Sequence, residues 1–215
     1  MGNGHTPGPA DTSQRQARLD DGTSARISSP PPGPVGLDAR SGAHAPGNAV
    51  PVSAANIADQ VLAYPQGQYG HRVGDGECFT LADRALRAAG ARSASDFGRV
   101  TATADYVWGR AVDLPDLRPG DVIQFRRYRY DREIVTEDGN RRTTNTDFQE
   151  RPHHTAIVES VDGNGAVTVL EQNVPHRGPV RRNQLFFSGG TTTSGGVTTT
   201  VRVQGTVWFY RPQAR

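Results

Sequence analysis

Lysine is missing from this 215-residue chain, in which all 24 basic residues are arginine. A GC-rich genome would produce that bias, as the many Ala, Gly and Pro also suggest; loss of ubiquitin acceptors inside a eukaryotic host is the other reading. Cysteine is nearly missing too. With Cys78 alone, no intrachain disulfide can form and zinc motifs built on cysteine pairs are excluded, so the thiol is either buried packing or chemistry. No run approaches the ~18 apolar residues of a membrane span, and the amino terminus, MGNGHTPGPADTSQRQ, lacks the apolar centre of a secretory signal. The expectation is a chain with no membrane span and no classical signal peptide, cytoplasmic or exported by a leaderless route. A formal charge of +2 is too small to argue for nucleic acid, and no such partner is expected. Phosphate-cradling glycine motifs and paired ligand spacings are lacking as well, so neither a cofactor nor a metal is expected.

Only 34% of the residues are hydrophobic, and the deficit is concentrated at one end. Residues 1–50 are dense in Pro, Gly, Ser, Ala and Asp without periodicity, and SSPPPGPVG at 28–36 suits neither helix nor central strand. This reads as a disordered tail through which a protein partner can attach. Its first residues, Met1-Gly2-Asn3-Gly4-His5-Thr6, fit the minimal myristoylation pattern, which is short and frequent by chance.

The folded domain is expected over 51–215. Ser53 can cap a helix through Tyr64, with Ile57, Val61 and Leu62 as its apolar stripe and Pro65 as its end. The strongest helix signal is CFTLADRALRAAGA, from Cys78 to Ala91. Leu81, Ala82, Ala85, Leu86 and Ala89 form one face, and Gly90 stops it. Cys78 falls in the first turn. A small buried hydrophobe is natural there, but free N–H groups at a helix start also stabilise a thiolate.

Downstream the pattern turns to strands. YVWG at 106–109 supplies aromatics for the core or for a cleft. Leu117-Arg118-Pro119-Gly120-Asp121 is a turn launching a strand over 121–130, whose Arg126, Arg127 and Arg129 interleave with Tyr128 and Tyr130. That interleaving superficially suits single-stranded nucleic acid, but a solvated strand extension explains it as well. Residues 131–152 read as a polar excursion with a hairpin about Glu137-Asp138-Gly139-Asn140. SGGTTTSGG at 188–196 reads as a low-complexity loop, and Gly205 as a bulge or close approach within the final strand.

Between these lies HHTAIVESVDGNGAVTVLEQN, residues 153–173. Two runs rich in β-branched residues flank Asp162-Gly163-Asn164-Gly165, a strong hairpin signal. If the loop holds two or four residues, Val161 pairs with Ala166, Ala156 with Glu171 and His154 with Asn173; a three-residue loop shifts this by one. Period-two alternation then gathers His154, Glu171 and Asn173 on one face, while His153 faces away. Helices followed by antiparallel strands make the fold class α+β. A thiol at a helix start, an imidazole to take its proton and a third group to hold the ring are what cysteine hydrolysis requires.

The pieces GECFTLADRALRAAGA, LRPGDVIQF at 117–125, HTAIVESV at 154–161 and VTVLEQN at 167–173 resemble the papain-like CHAP and NlpC-type cysteine amidohydrolases. A closer local likeness, through Gly-Glu-Cys, Tyr-Val-Trp-Gly, Pro-Gly-Asp and His-His-Thr-Ala, is to the cysteine-proteinase-fold module at the carboxyl end of fungal actin-patch, myosin-binding proteins. The resemblance implies amino-terminal helices packed on a five- to six-stranded antiparallel sheet. It implies a catalytic set of Cys78, His154, Glu171 and Asn173, with Asn173 orienting the ring and Glu171 as a second polarising group. A peptide or peptidoglycan-like substrate follows from it; a catalytically idle fold used as a binding module is the alternative.

Overall fold

The structure, a computed structural model, describes residues 26–27, 54–163 and 165–215. The proposed Ser53 cap and the rest of the 1–50 tail lie outside these residues. Among the described residues are two α-helices, α1 (Ala54–Gly67) and α2 (Cys78–Ala88), and eight strands: β1 (Arg26–Ile27), β2 (Arg110–Val112), β3 (Val122–Asp138), β4 (Arg141–Val161), β5 (Ala166–Glu171), β6 (Arg181–Phe186), β7 (Gly190–Ser194) and β8 (Val197–Arg211). All eight strands join one sheet in the order β1-β8-β3-β4-β5-β6, with β2 and β7 also paired to β8. β1 is the parallel member, at Thr206–Val207 of β8.

Helix α2 follows its sequence pattern. Leu81, Ala82, Ala85 and Leu86 are buried, and Ala91 N–H bonds to the Leu86 carbonyl while Gly90 N–H bonds to that of Arg87. That pair of bonds is a Schellman cap, which demands the positive φ of +66° that Gly90 supplies. Helix α1 does not stop at Pro65 but runs to Gly67. Proline in the last turn forfeits a single intrahelical bond, and Gln68 N–H still reaches the Tyr64 carbonyl. Both helices pack on one face of the sheet, where Val61, Ala85 and Leu86 meet Trp108, Val122, Ile157 and Tyr210. Trp108 is wholly buried, so the YVWG segment belongs largely to the core. The other face gathers Phe125, Tyr128, Val158, Val169, Leu185, Val207 and Phe209.

The sheet is larger than the five or six strands expected. The residues taken for a polar excursion are the outer halves of β3 and β4, paired without interruption from Tyr128↔Arg151 to Asp138↔Arg141. The hairpin does turn at Gly139-Asn140. Three arginines of β3 are paired with carboxylates, Arg126 with Asp105, Arg129 with Asp131 and Arg132 with Asp147. The threonine-rich stretch read as a loop is β7, because β-branched residues suit a ladder and their hydroxyls pair across it, Thr191 with Thr200 and Thr193 with Thr198.

One irregularity reorganises the ladder. Between Arg126 and Arg129 the β3–β8 register shifts, and Arg127 adopts a φ of +52°. The bulge fits because Gly205 on β8 brings its Cα against it; a Cβ there would lie 2.2 Å from the Arg127 carbonyl oxygen. Side-chain alternation is reset by the bulge, so Phe125, Tyr128 and Tyr130 share one apolar cluster. Phe125 and Tyr128 have ring centroids 5.1 Å apart. Gly205→Ala is therefore expected to destabilise the fold by about 2 kcal/mol or more, since it adds backbone strain of ~1–3 kcal/mol to a steric clash. Gly139→Ala, also at positive φ but with open space around it, should cost no more than about the strain alone. Urea denaturation of both variants checks the difference.

Candidate active site

The chain reaches Cys78 through a loop that is tied down on both sides. Gln172, fully buried, accepts the Val73 N–H at 3.0 Å and donates to the carbonyls of Val73 at 3.1 Å and Glu77 at 2.6 Å. Asp75 accepts the Glu77 N–H at 3.0 Å. Glu77 is the extended N-cap residue and Cys78 opens α2. Cys78 is 8% exposed and borders an open cleft of about 330 Å³ lined in part by Glu77, Phe79, Tyr106, His153 and Asn173.

His154 comes from β4, where it pairs with Phe125 of β3. Its Nε2 lies 2.7 Å from a Glu171 carboxylate oxygen. The two groups thus form a buried ion pair when the ring is protonated. On its other side the ring interacts with Cys78.

Glu171, at the end of β5, has no solvent exposure. Besides His154, it is held by Arg151, which donates Nε at 2.8 Å to one carboxylate oxygen and Nη2 to the other, and by Asn183 Nδ2 at 2.7 Å. Arg151 is itself 3% exposed, and its remaining donors go to the Glu150 carbonyl and the Gln149 side chain.

The electrostatics follow from this packing. Burial raises the Glu171 carboxyl, but His154 and Arg151 outweigh it and hold the group down at about 2. For His154, burial works against charge, yet the Cys78 thiolate and then Glu171 favour the imidazolium and lift the ring to about 9. Burial also pushes the Cys78 thiol up; the charge and hydrogen bond of His154, with backbone N–H groups of Thr155 and Phe79, bring it below the ordinary thiol value. The two groups titrate as one coupled pair. Each of the two groups favours the charged form of the other.

The hairpin that delivers these groups has the expected register where it matters, for an unexpected reason. At the tip Val161 pairs with Val167, not Ala166, one residue out. A bulge at Glu159, between the Val158 and Ser160 pairs, restores the count, so Val158 meets Val169 and Ile157 meets Leu170. Asn173 lies elsewhere than the ring. At a φ of +73° it leaves the ladder, donates Nδ2 to Glu77 at 2.9 Å and accepts the Arg177 N–H. The structure thus brings Cys78, His154 and Glu171 together and puts Asn173 on the cleft wall. His153, on the opposite face, also borders the cleft while its Nε2 bonds to the Ala104 carbonyl at 2.8 Å.

A buried cysteine at a helix start, beside a histidine backed by a carboxylate on the interior strands β4 and β5, agrees with a cysteine proteinase fold. This chain belongs to the family described as the AIM3/BBC1 cysteine proteinase-fold domain, whose model matches residues 51–215. No curated protein matches it. Among solved structures, similarity is found to "The crystal structure of Ly7917 with the hydrolyzing product of MDP", at 20% identity and a TM-score of 0.40, and to "The crystal structure of Ly7917", at 20% and 0.38. Each alignment covers 67% of this chain, which spans 62% of the length of either structure. Among the described residues, no helix is long and apolar enough to cross a membrane.

Glu171 sets an acid limit on stability. Its carboxyl is depressed in the folded state, so its contribution is present above the ordinary carboxylate value of 4.5 and is lost as pH falls toward about 2. The urea midpoint should fall through that window. Glu171→Gln should flatten the fall, yet cost about 3 kcal/mol or more at pH 7 because Arg151 loses its buried partner.

Proposed function

We propose that this chain is a thiol-dependent amide hydrolase. The observation that carries the reading is the Cys78–His154–Glu171 arrangement, buried, charge-compensated and opening on a cleft. The Cys78 thiolate adds to the carbonyl carbon of the scissile amide. The oxygen that gains charge accepts the Cys78 backbone N–H, which as a first-turn donor has no intrahelical acceptor. His154 Nδ1 then gives its proton to the departing amine as the C–N bond breaks, leaving a thioester. Water attacks that thioester while His154 takes back a proton, and the carboxylic acid product leaves with the thiolate restored.

In this reading Glu171 orients the imidazole and stabilises its charged form, while Asn173 holds Glu77 at the cleft edge. The substrate is a peptide, with a cell-wall peptide as the class that the CHAP resemblance implies. The idle binding module is the competing reading. It leaves unused a thiol held below its ordinary pKa, a condition that structural buried cysteines do not need.

The decisive assay is cleavage of a peptide and muropeptide panel by the parent and by Cys78→Ala. The parent should cleave at least one member. Cys78→Ala should fold, by circular dichroism, and lose at least ~10³-fold in kcat. Undiminished cleavage by Cys78→Ala would show that another group does the chemistry. A parent that cleaves nothing, with a thiol of ordinary reactivity, supports the binding module.

A further inference from the structure

Arg151 lies outside every motif noted in the sequence, yet it is among the most deeply buried charges in the molecule. Regular alternation along β4 would put it on the opposite face from His154, three residues away. The bulge at Arg127 removes that separation. Phe125 pairs with His154 and Tyr128 pairs with Arg151, and the reset alternation places both aromatics, and so both of their partners, on the same side. A backbone irregularity has thus brought a guanidinium onto the carboxylate that faces the imidazole.

The fit is specific to arginine. Two donors of one planar fork meet the two oxygens of Glu171, while the remaining donor sites reach Glu150 and Gln149. A lysine ammonium offers a point charge and no such fork. Asn183, from β6, supplies the further donor that completes the seat. A carboxylate so held has little rotational freedom and presents one oxygen to His154.

We infer that Arg151 is a positioning residue of the site: it seats Glu171 so that the His154 ring is held toward Cys78. This rests on the hydrolase reading for its purpose but not for its test, which needs no substrate. The groups bearing on the cluster are Cys78 from α2, Phe125, Tyr128 and Tyr130 from β3, Gln149 and the Glu150 carbonyl on β4, Glu171 from β5 and Asn183 from β6. Removing the guanidinium leaves this cluster with excess negative charge. The cheapest correction is a proton on the thiolate.

The test is the pH profile of Cys78 alkylation by iodoacetamide in the full chain, with thermal melting alongside. In Arg151→Met the profile should move to higher pH, with alkylation at pH 7 about tenfold slower. Arg151→Lys, which keeps the charge and loses the fork, should fall between it and the parent, and serves if the Met variant fails to fold. In a Glu171→Gln background the Arg151→Met change should add nothing, since Arg151 acts through Glu171. A lower melting temperature with an unmoved profile, or an equal shift with and without Glu171, overturns the inference. A parent profile with the midpoint of an ordinary thiol, insensitive to His154→Ala, overturns the hydrolase reading and this inference together; an unusual parent profile indifferent to Arg151 overturns this inference alone.

Discussion

A carboxylate sealed from water is the constraint around which this domain is arranged. Glu171 has no exposure, and an isolated ionised group in that position would cost several kcal/mol or simply take up a proton. The fold keeps it charged by surrounding it: Arg151 on one side, His154 on the other and the Asn183 amide above. Arg151, Glu171, His154 and Cys78 then lie in series, each favouring the charged form of the next. Were Glu171 neutral, the imidazolium would lose support, and with it the partner that lowers the thiol.

Assembling that series takes two separate strands and a helix start, and the sheet's two bulges are what align them. The bulge at Glu159 corrects a hairpin that is one residue out at its tip, so that β5 presents Glu171 rather than a neighbour to β4. The bulge at Arg127, admitted by Gly205, turns Arg151 to the same side as His154. On the opposite flank Gln172, the residue that follows Glu171 in the chain, holds the loop before Cys78. The thiol and the carboxylate are therefore positioned from adjacent residues of one segment.

Much of this was legible in the sequence, and the boundary is physical. Period-3.6 patterning and Gly90 define α2, and period-two patterning with a turn signal defines the β4–β5 hairpin; both are local. Gly205 announced its bulge because glycine inside a strand has few other reasons to be there. What the bulge would do to Arg151 was not legible, since its effect falls on a strand two ladders away. Gln172 was hidden by being flanked by Glu171 and Asn173, whose chemistry is more conspicuous, and by bonding to backbone 99 residues distant. The departure of Asn173 from the ladder turns on one backbone angle, its φ of +73°. The threonine run of β7 misled because Gly-rich flanks resemble a loop whereas Thr itself favours a ladder.

The central claim is that His154 is an imidazolium at neutral pH because a thiolate faces it and an anchored carboxylate backs it. Nitrogen-15 NMR of the His154 ring reads this without any substrate. The account predicts both ring nitrogens protonated at pH 7.5 in the parent, and a titration midpoint that drops when Cys78 is replaced by alanine. A neutral ring at that pH, with a midpoint unmoved by Cys78→Ala, would contradict it.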